Sequence, residues 1–176
     1  HVTPAWFIPV VGNVLVPLAG VSFGNIGMSV FSFSVGIIMW LGVLPIVLLR
    51  LFTHQAMPPK FQPTVLILVA PPAVGSVAAL SLFGDLNDPG LAGAALLSTA
   101  GAFLLLALTM LPEIIELPFN IPHWAMSFPL AAMAAATLPY STVFGIFFLA
   151  VASLVIAWLW GKTVNAIARG GIFVAE

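Results

Sequence analysis

The stretch PTVLILVAPPAVGSVAALSLF, residues 63–83, carries no charged side chain along its whole length. A helix needs about 20 mostly apolar residues to cross a hydrocarbon layer roughly 30 Å thick, so the stretch reads as a membrane span. It also holds Pro71 and Pro72 near its middle. Proline inside a helix removes one backbone hydrogen bond and its ring clashes with the carbonyl four residues back. In lipid each orphaned backbone group costs several kcal/mol, so such a break is tolerated mainly against protein or a water-filled cavity. The stretch therefore predicts a bent helix on the inside of a bundle.

Five further apolar stretches flank it. The predicted spans are A near 5–20, B near 27–50, C near 63–83, D near 91–111, E near 122–138 and F near 141–162. The connections at 22–27, 57–60, 85–90, 117–122 and 138–140 are short and rich in Gly, Pro, Asn and Asp, which makes consecutive helices antiparallel neighbours. The expected fold class is an all-α integral membrane protein, with residues 1–176 forming a single transmembrane domain. Composition agrees, since 62% of residues are hydrophobic and 5% charged, against about a quarter charged in an average soluble domain. Four Lys and Arg and a net charge of -1 leave no basic stripe for a nucleic-acid backbone. No nucleic-acid partner is expected. Cysteine is absent, which removes disulfides, thiolate metal sites and cysteine nucleophiles together. No His-Glu-x-x-His zinc motif occurs, and no cofactor or metal is expected. The chain opens on His1 without a basic leader, so it is expected to be the C-terminal part of a longer protein.

Basic residues mark the cytoplasmic side. Arg50, His54 and Lys60 lie between B and C, and Lys162 and Arg169 follow F. Alternation places both clusters on one side, with the C-terminus cytoplasmic and Asp85 and Asp88 outside. Glu113 and Glu116 then fall inside, read as solvated loop charges rather than partners of His123 or Lys60.

A weak repeat recurs in alternate spans. Pro9-x-x-Gly12, Pro72-x-x-Gly75 and Pro129-x-x-Ala132 each read Pro-x-x-small at similar depth. Bends are expected near Ala5, Leu68 and Ala125, four residues before each proline. B carries Pro45 near its inner end, D reaches Pro112 only at its end, and F has no proline. The unit is a hairpin of one kinked inner helix and one straighter outer helix, repeated three times around a central pore. Small residues such as Gly12, Gly20, Gly75 and Ala132 would let the inner helices approach closely. Proline and glycine are also simply common in membrane helices, which accounts for any one site but poorly for three.

Ionisable residues deep in a membrane usually mark proton relays or ion sites. None stands at mid-depth in any span, so a pump or an intramembrane protease finds no support and the chain is not expected to be an enzyme. What remains is passive passage through an apolar wall, with Asn13, Ser76, Ser127 and Thr137 as occasional polar groups. One bulky ring can close such a pore by excluding water. Phe128, just before Pro129, stands at the required depth, although the ordinary role of a membrane phenylalanine is packing or lipid contact. His123, Trp124, Trp158 and Trp160 read as interfacial anchors.

Three segments, PAWFIPVVGN at 4–13, PTVLILVAPPAVG at 63–75 and HWAMSFPL at 123–130, give the chain a resemblance along its whole length to the tellurite-resistance/dicarboxylate transporter (TDT) family, which includes the slow-type anion channel of plant guard cells and bacterial TehA. The resemblance implies ten helices in five hairpins, five kinked inner helices around the pore, and a homotrimer in the cell (plasma or inner) membrane. The six spans here would be the last six, three hairpins of the five. It also implies that Phe128 is the pore gate, and the repeat and the polar residues of the inner spans make Pro9, Gly12, Asn13, Pro72, Gly75, Ser127 and Pro129 the expected pore-lining or kink residues. Anion preference rests on the resemblance alone, since carbonyls freed by proline attract cations. The implied function is a gated anion channel. The alternative is a secondary, proton-coupled carrier of C4-dicarboxylate, sulfite or tellurite-type oxyanions, and a third is a non-transporting assembly subunit. The expected partners are small inorganic or organic anions and the lipid bilayer.

Overall fold

The computed structural model describes residues 2–53, 57–84 and 90–170. His54, Asp85 and Asp88 lie outside the described residues, which are mostly helical with no strand among them. Six α-helices follow one another: α1 (Ile8–Gly20), α2 (Ile26–Thr53), α3 (Ala70–Phe83), α4 (Gly90–Glu116), α5 (Ser127–Thr137) and α6 (Thr142–Ala168). The chain is an all-α membrane protein.

The three proline-bearing spans are built differently from the other three. Each begins as a 3-10 helix, Pro4–Phe7, Pro59–Val69 or Ile121–Met126, and passes directly into α1, α3 or α5. Pro9, Pro71, Pro72 and Pro129 all fall within the first three positions of the α-helical part. There a backbone N–H would have no partner four residues back in any case. The bends expected near Ala5, Leu68 and Ala125 are therefore realised as a change of helix type two to three residues later. The reason lies in the hydrogen bonds: Ile8 N–H donates to Ala5 O and Ala70 N–H to Ile67 O, each three residues back. These are the two carbonyls that Pro9 and Pro71 would otherwise have orphaned.

Helix type also settles length. Among the described residues four helical stretches, Ile26–Thr53, Pro59–Phe83, Gly90–Glu116 and Thr142–Ala168, are long and apolar enough to cross a membrane alone, fewer than the six spans expected. The stretches 4–20 and 121–137 are shorter. A 3-10 helix rises about 2.0 Å per residue against 1.5 Å in an α-helix, so their mixed composition extends each to about 28 Å, close to the hydrocarbon thickness.

The outer helices run further than expected. Pro45 and Pro112 lie inside α2 and α4, so α4 does not end at Pro112 and Glu113 and Glu116 belong to its last turns rather than to a loop. Each inner helix packs on the outer helix that follows it, α1 on α2, α3 on α4 and α5 on α6. Helix α3 also packs on α1 at one side and on α5 at the other. Burial follows from that central position: every residue from 63 to 76 is buried. The outer helices turn large apolar side chains outward, among them Phe31, Leu105 and Leu154, as surfaces facing acyl chains require.

Small side chains hold the α-helical halves together, with Val14, Ala73, Ala78, Ala100 and Ala136 in one cluster. Gly36 permits a close approach of α2 to α1, since a Cβ there would stand 2.5 Å from Val14 Cγ2 and 3.1 Å from the Val14 backbone nitrogen. Gly36→Leu should therefore force α2 off α1 and destabilise the fold by about 1–3 kcal/mol. A lowered melting temperature in detergent would report it. Gly42→Leu on the same helix, where a Cβ meets nothing within 4 Å, should melt like the parent; equal melting of the two variants would contradict the packing argument.

Of the residues expected as interfacial anchors, His123 is buried in the fold and Trp124 is half-buried against α6. His123 is 1% exposed, with Nδ1 2.8 Å from Asn120 Oδ1 and 3.2 Å from the Asn120 backbone nitrogen. Its ring and Asn120 cap the 3-10 lead of α5 reciprocally, as a capping box does for an α-helix. Trp124 Nε1 donates to Thr163 Oγ1 at 3.0 Å, and its ring meets Trp160 edge-on at 5.6 Å. That ties the start of the last inner span to the end of α6.

Candidate permeation groove

The wall formed by α1, α3 and α5 is concave on the side away from the outer helices. Its groove has a volume of about 510 Å³. Ile8, Val11, Gly12 and Leu15 come from α1, Ile67 and Ala70 from the central span, and Ala125, Phe128 and Pro129 from the last inner span. On α1 the offsets of three, four and seven residues place one helical stripe along the wall. Ile8 and Ala70 are the first residues of their α-helices and Phe128 is the second. The groove thus lies where all three inner spans change helix type.

Its chemistry is that of a dry apolar surface. No lining side chain ionises or carries a hydroxyl or amide. Phe128 is 43% exposed, whereas Leu130 and Met133 on the same helix are buried, so its ring stands in the groove rather than in the core. Below it on the same stripe follow Ala131 and Ala135, both exposed and small. A Cβ added to Gly12 would meet nothing within 4 Å, which leaves the α1 side of the groove open.

Of the site residues read from sequence, Gly12, Phe128 and Pro129 are brought together here. Pro9 is exposed in the first turn of α1 but outside the lining. Asn13 turns toward α2, its Cβ 3.2 Å from where a Gly36 Cβ would stand, and its Nδ2 donates to Pro9 O at 3.0 Å. Pro72 is buried. Gly75 faces α4, where a Cβ would lie 3.3 Å from Leu96 Cδ1, so its smallness serves the contact between α3 and α4. Ser127 Oγ donates to Trp124 O at 2.7 Å and Thr137 Oγ1 to Met133 O at 2.7 Å. Ser76 is buried with no hydrogen-bond partner for its hydroxyl. The polar side chains proposed for the wall thus stand outside it, and the lining is more apolar than expected. Ile8, Leu15, Ile67 and Ala70 are lining residues the sequence reading passed over; their helical spacing from Gly12 or from one another was the available signal.

Comparison with known proteins bears on this geometry. Residues 1–164 match the family model described as SLAC1: voltage-dependent anion channel. Two uncharacterized transporters of Methanocaldococcus jannaschii are each 26% identical over 200 residues, covering 98% of this chain and 58% of their own length. The S-type anion channel SLAH2 of Arabidopsis thaliana is 29% identical over 139 residues, covering 78% of this chain and 26% of its own. The chain thus spans little more than half the length of the archaeal relatives.

Proposed function

The chain belongs to the SLAC1 voltage-dependent anion channel family, a family of anion channels and transporters, and from that premise we propose that its groove is one wall of a gated anion pore closed by Phe128. The observation that carries the reading is Phe128 itself, a large exposed ring set in an otherwise aliphatic, uncharged groove at the junctions of three inner spans. An apolar constriction gates by expelling water, because an ion cannot pass without its hydration shell. A wall without fixed charge holds no ion tightly, which suits fast passage rather than storage. The carbonyls of Ala5 and Ile67 are engaged by backbone N–H groups, so the cation-attracting lobes that proline would have bared are withdrawn. Selection for anions then rests with the family reading and with the basic ends of the helices.

In this reading the pore is completed by further hairpins of the same kind, five in all, in a homotrimer of the cell membrane with the Arg50, Lys60 and C-terminal end cytoplasmic. Opening uses the helix-type junction. A 3-10 helix turns 120° per residue and an α-helix 100°, so converting the six-residue lead Ile121–Met126 to α would swing Phe128 by about 120° relative to Ile121 and draw it in by about 3 Å. That motion takes the ring off the groove without unfolding the helix.

Electrical recording from the full chain in planar bilayers tests the proposal. The expected result is single-channel events whose reversal potential follows a chloride or nitrate gradient and ignores a proton gradient. Saturable flux that follows the proton gradient without unitary events would instead make the chain a carrier of small oxyanions. No flux of any anion would leave the assembly role.

A further inference from the structure

On the face opposite the groove, the bundle has two furrows at corresponding places in the hairpin repeat. One lies between α4 and α6 over the lead of α5, with a volume of about 350 Å³; it is walled by aliphatic side chains and Trp158, with the His123 ring at its floor. The other lies between α2 and α4 over the lead of α3, with a volume of about 410 Å³, and gathers Arg50, Gln62, Thr109 and Glu113 among apolar neighbours. Packing of the repeat does not require those four, since the sister furrow manages without them. Phe52, 67% exposed, lines the polar furrow, so it opens on the outer surface of the molecule at the end where α2 and α4 terminate.

The polar groups form a specific set. Gln62 Oε1 is buried with no hydrogen-bond partner, an acceptor in want of a donor. Thr109 Oγ1 spends its proton on Leu106 O at 2.7 Å, which leaves its oxygen able only to accept. The Glu113 carboxylate accepts as well. Arg50 supplies a planar, permanently charged fork suited to phosphate. Three accepting side chains beside one guanidinium match a headgroup that joins a phosphate to a primary ammonium, which has an N–H to offer each of them.

We propose that this furrow binds a phospholipid of the phosphatidylethanolamine type, with the phosphate on Arg50, the ammonium on Gln62, Thr109 and Glu113, and an acyl chain along Leu106. A choline headgroup has no N–H to give Gln62, and a glycerol headgroup brings no positive charge to Glu113. The site is on the outer face and does not depend on the permeation reading.

The test uses the full chain purified in detergent and titrated separately with dioleoyl phosphatidylethanolamine, phosphatidylcholine and phosphatidylglycerol, with bound lipid counted by native mass spectrometry. Phosphatidylethanolamine should be retained about tenfold more tightly than either other lipid, the worth of one hydrogen bond to a charged group. Glu113→Gln should abolish that preference. Thr109→Val, which keeps the volume, should weaken it with an unchanged melting temperature, and serves if the first variant folds poorly. Glu116→Gln, one turn away and outside the furrow, should change nothing. Equal retention of the three lipids, phosphatidylglycerol ahead of the others, or a preference indifferent to both furrow variants would overturn the assignment.

Discussion

Phe128→Ala is expected to raise anion current through the full chain on the order of 10- to 100-fold, since each tenfold in rate corresponds to about 1.4 kcal/mol of barrier removed. The ring is the largest side chain of an otherwise aliphatic groove and stands 43% exposed. Cutting it to a methyl widens the groove without opening the core. Stability should barely follow, because the packing of α5 is carried by Leu130, Met133 and Ala136, all buried. The measurement is macroscopic current at matched protein density, with melting temperature recorded beside it. A current equal to that of the parent, in a protein that melts normally, would remove Phe128 from the gate and return it to ordinary lipid or subunit contact.

The second large effect is its reversal from the other wall. Gly12 lines the same groove from α1, and a Cβ there meets nothing within 4 Å. Gly12→Phe introduced into the Phe128→Ala background should therefore fold, place a ring back in the passage, and bring the current down again by a similar factor. Glycine is also a poor helix former, so the change should favour α1 by several tenths of a kcal/mol. A double variant that folds and conducts like Phe128→Ala alone would mean that the groove is not the conducting path.

Much of this protein was legible in the sequence because the relevant physics is local. A run such as 63–83 without one charge has no stable home in water, and alternating proline-bearing and smoother spans set the hairpin repeat. Phe128 and Gly12 could be picked out as well, the first by its place before Pro129 and the second by its repeat position. Asn13, Gly75 and Ser127 could not be placed. Asn13 is one residue from Gly12, which on a helix is a turn of about 100°, enough to move it from the groove to α2. His123 looked interfacial by position, yet the cap it forms with Asn120 and the rings of Phe119 and Trp158 around it draw it inside.

The sequence by itself determined the solvent, the number of hairpins and where each inner span must break, since charge, apolar run length and the missing proline N–H act within a few residues. Only the tertiary structure decided which side chains face the groove. Rotation accumulates along a helix, and a switch from 3-10 to α changes it by about 20° for every residue involved. The facing of Gly12, Gly75 and Phe128 is thus fixed by how far each 3-10 lead extends and by the neighbour it packs on.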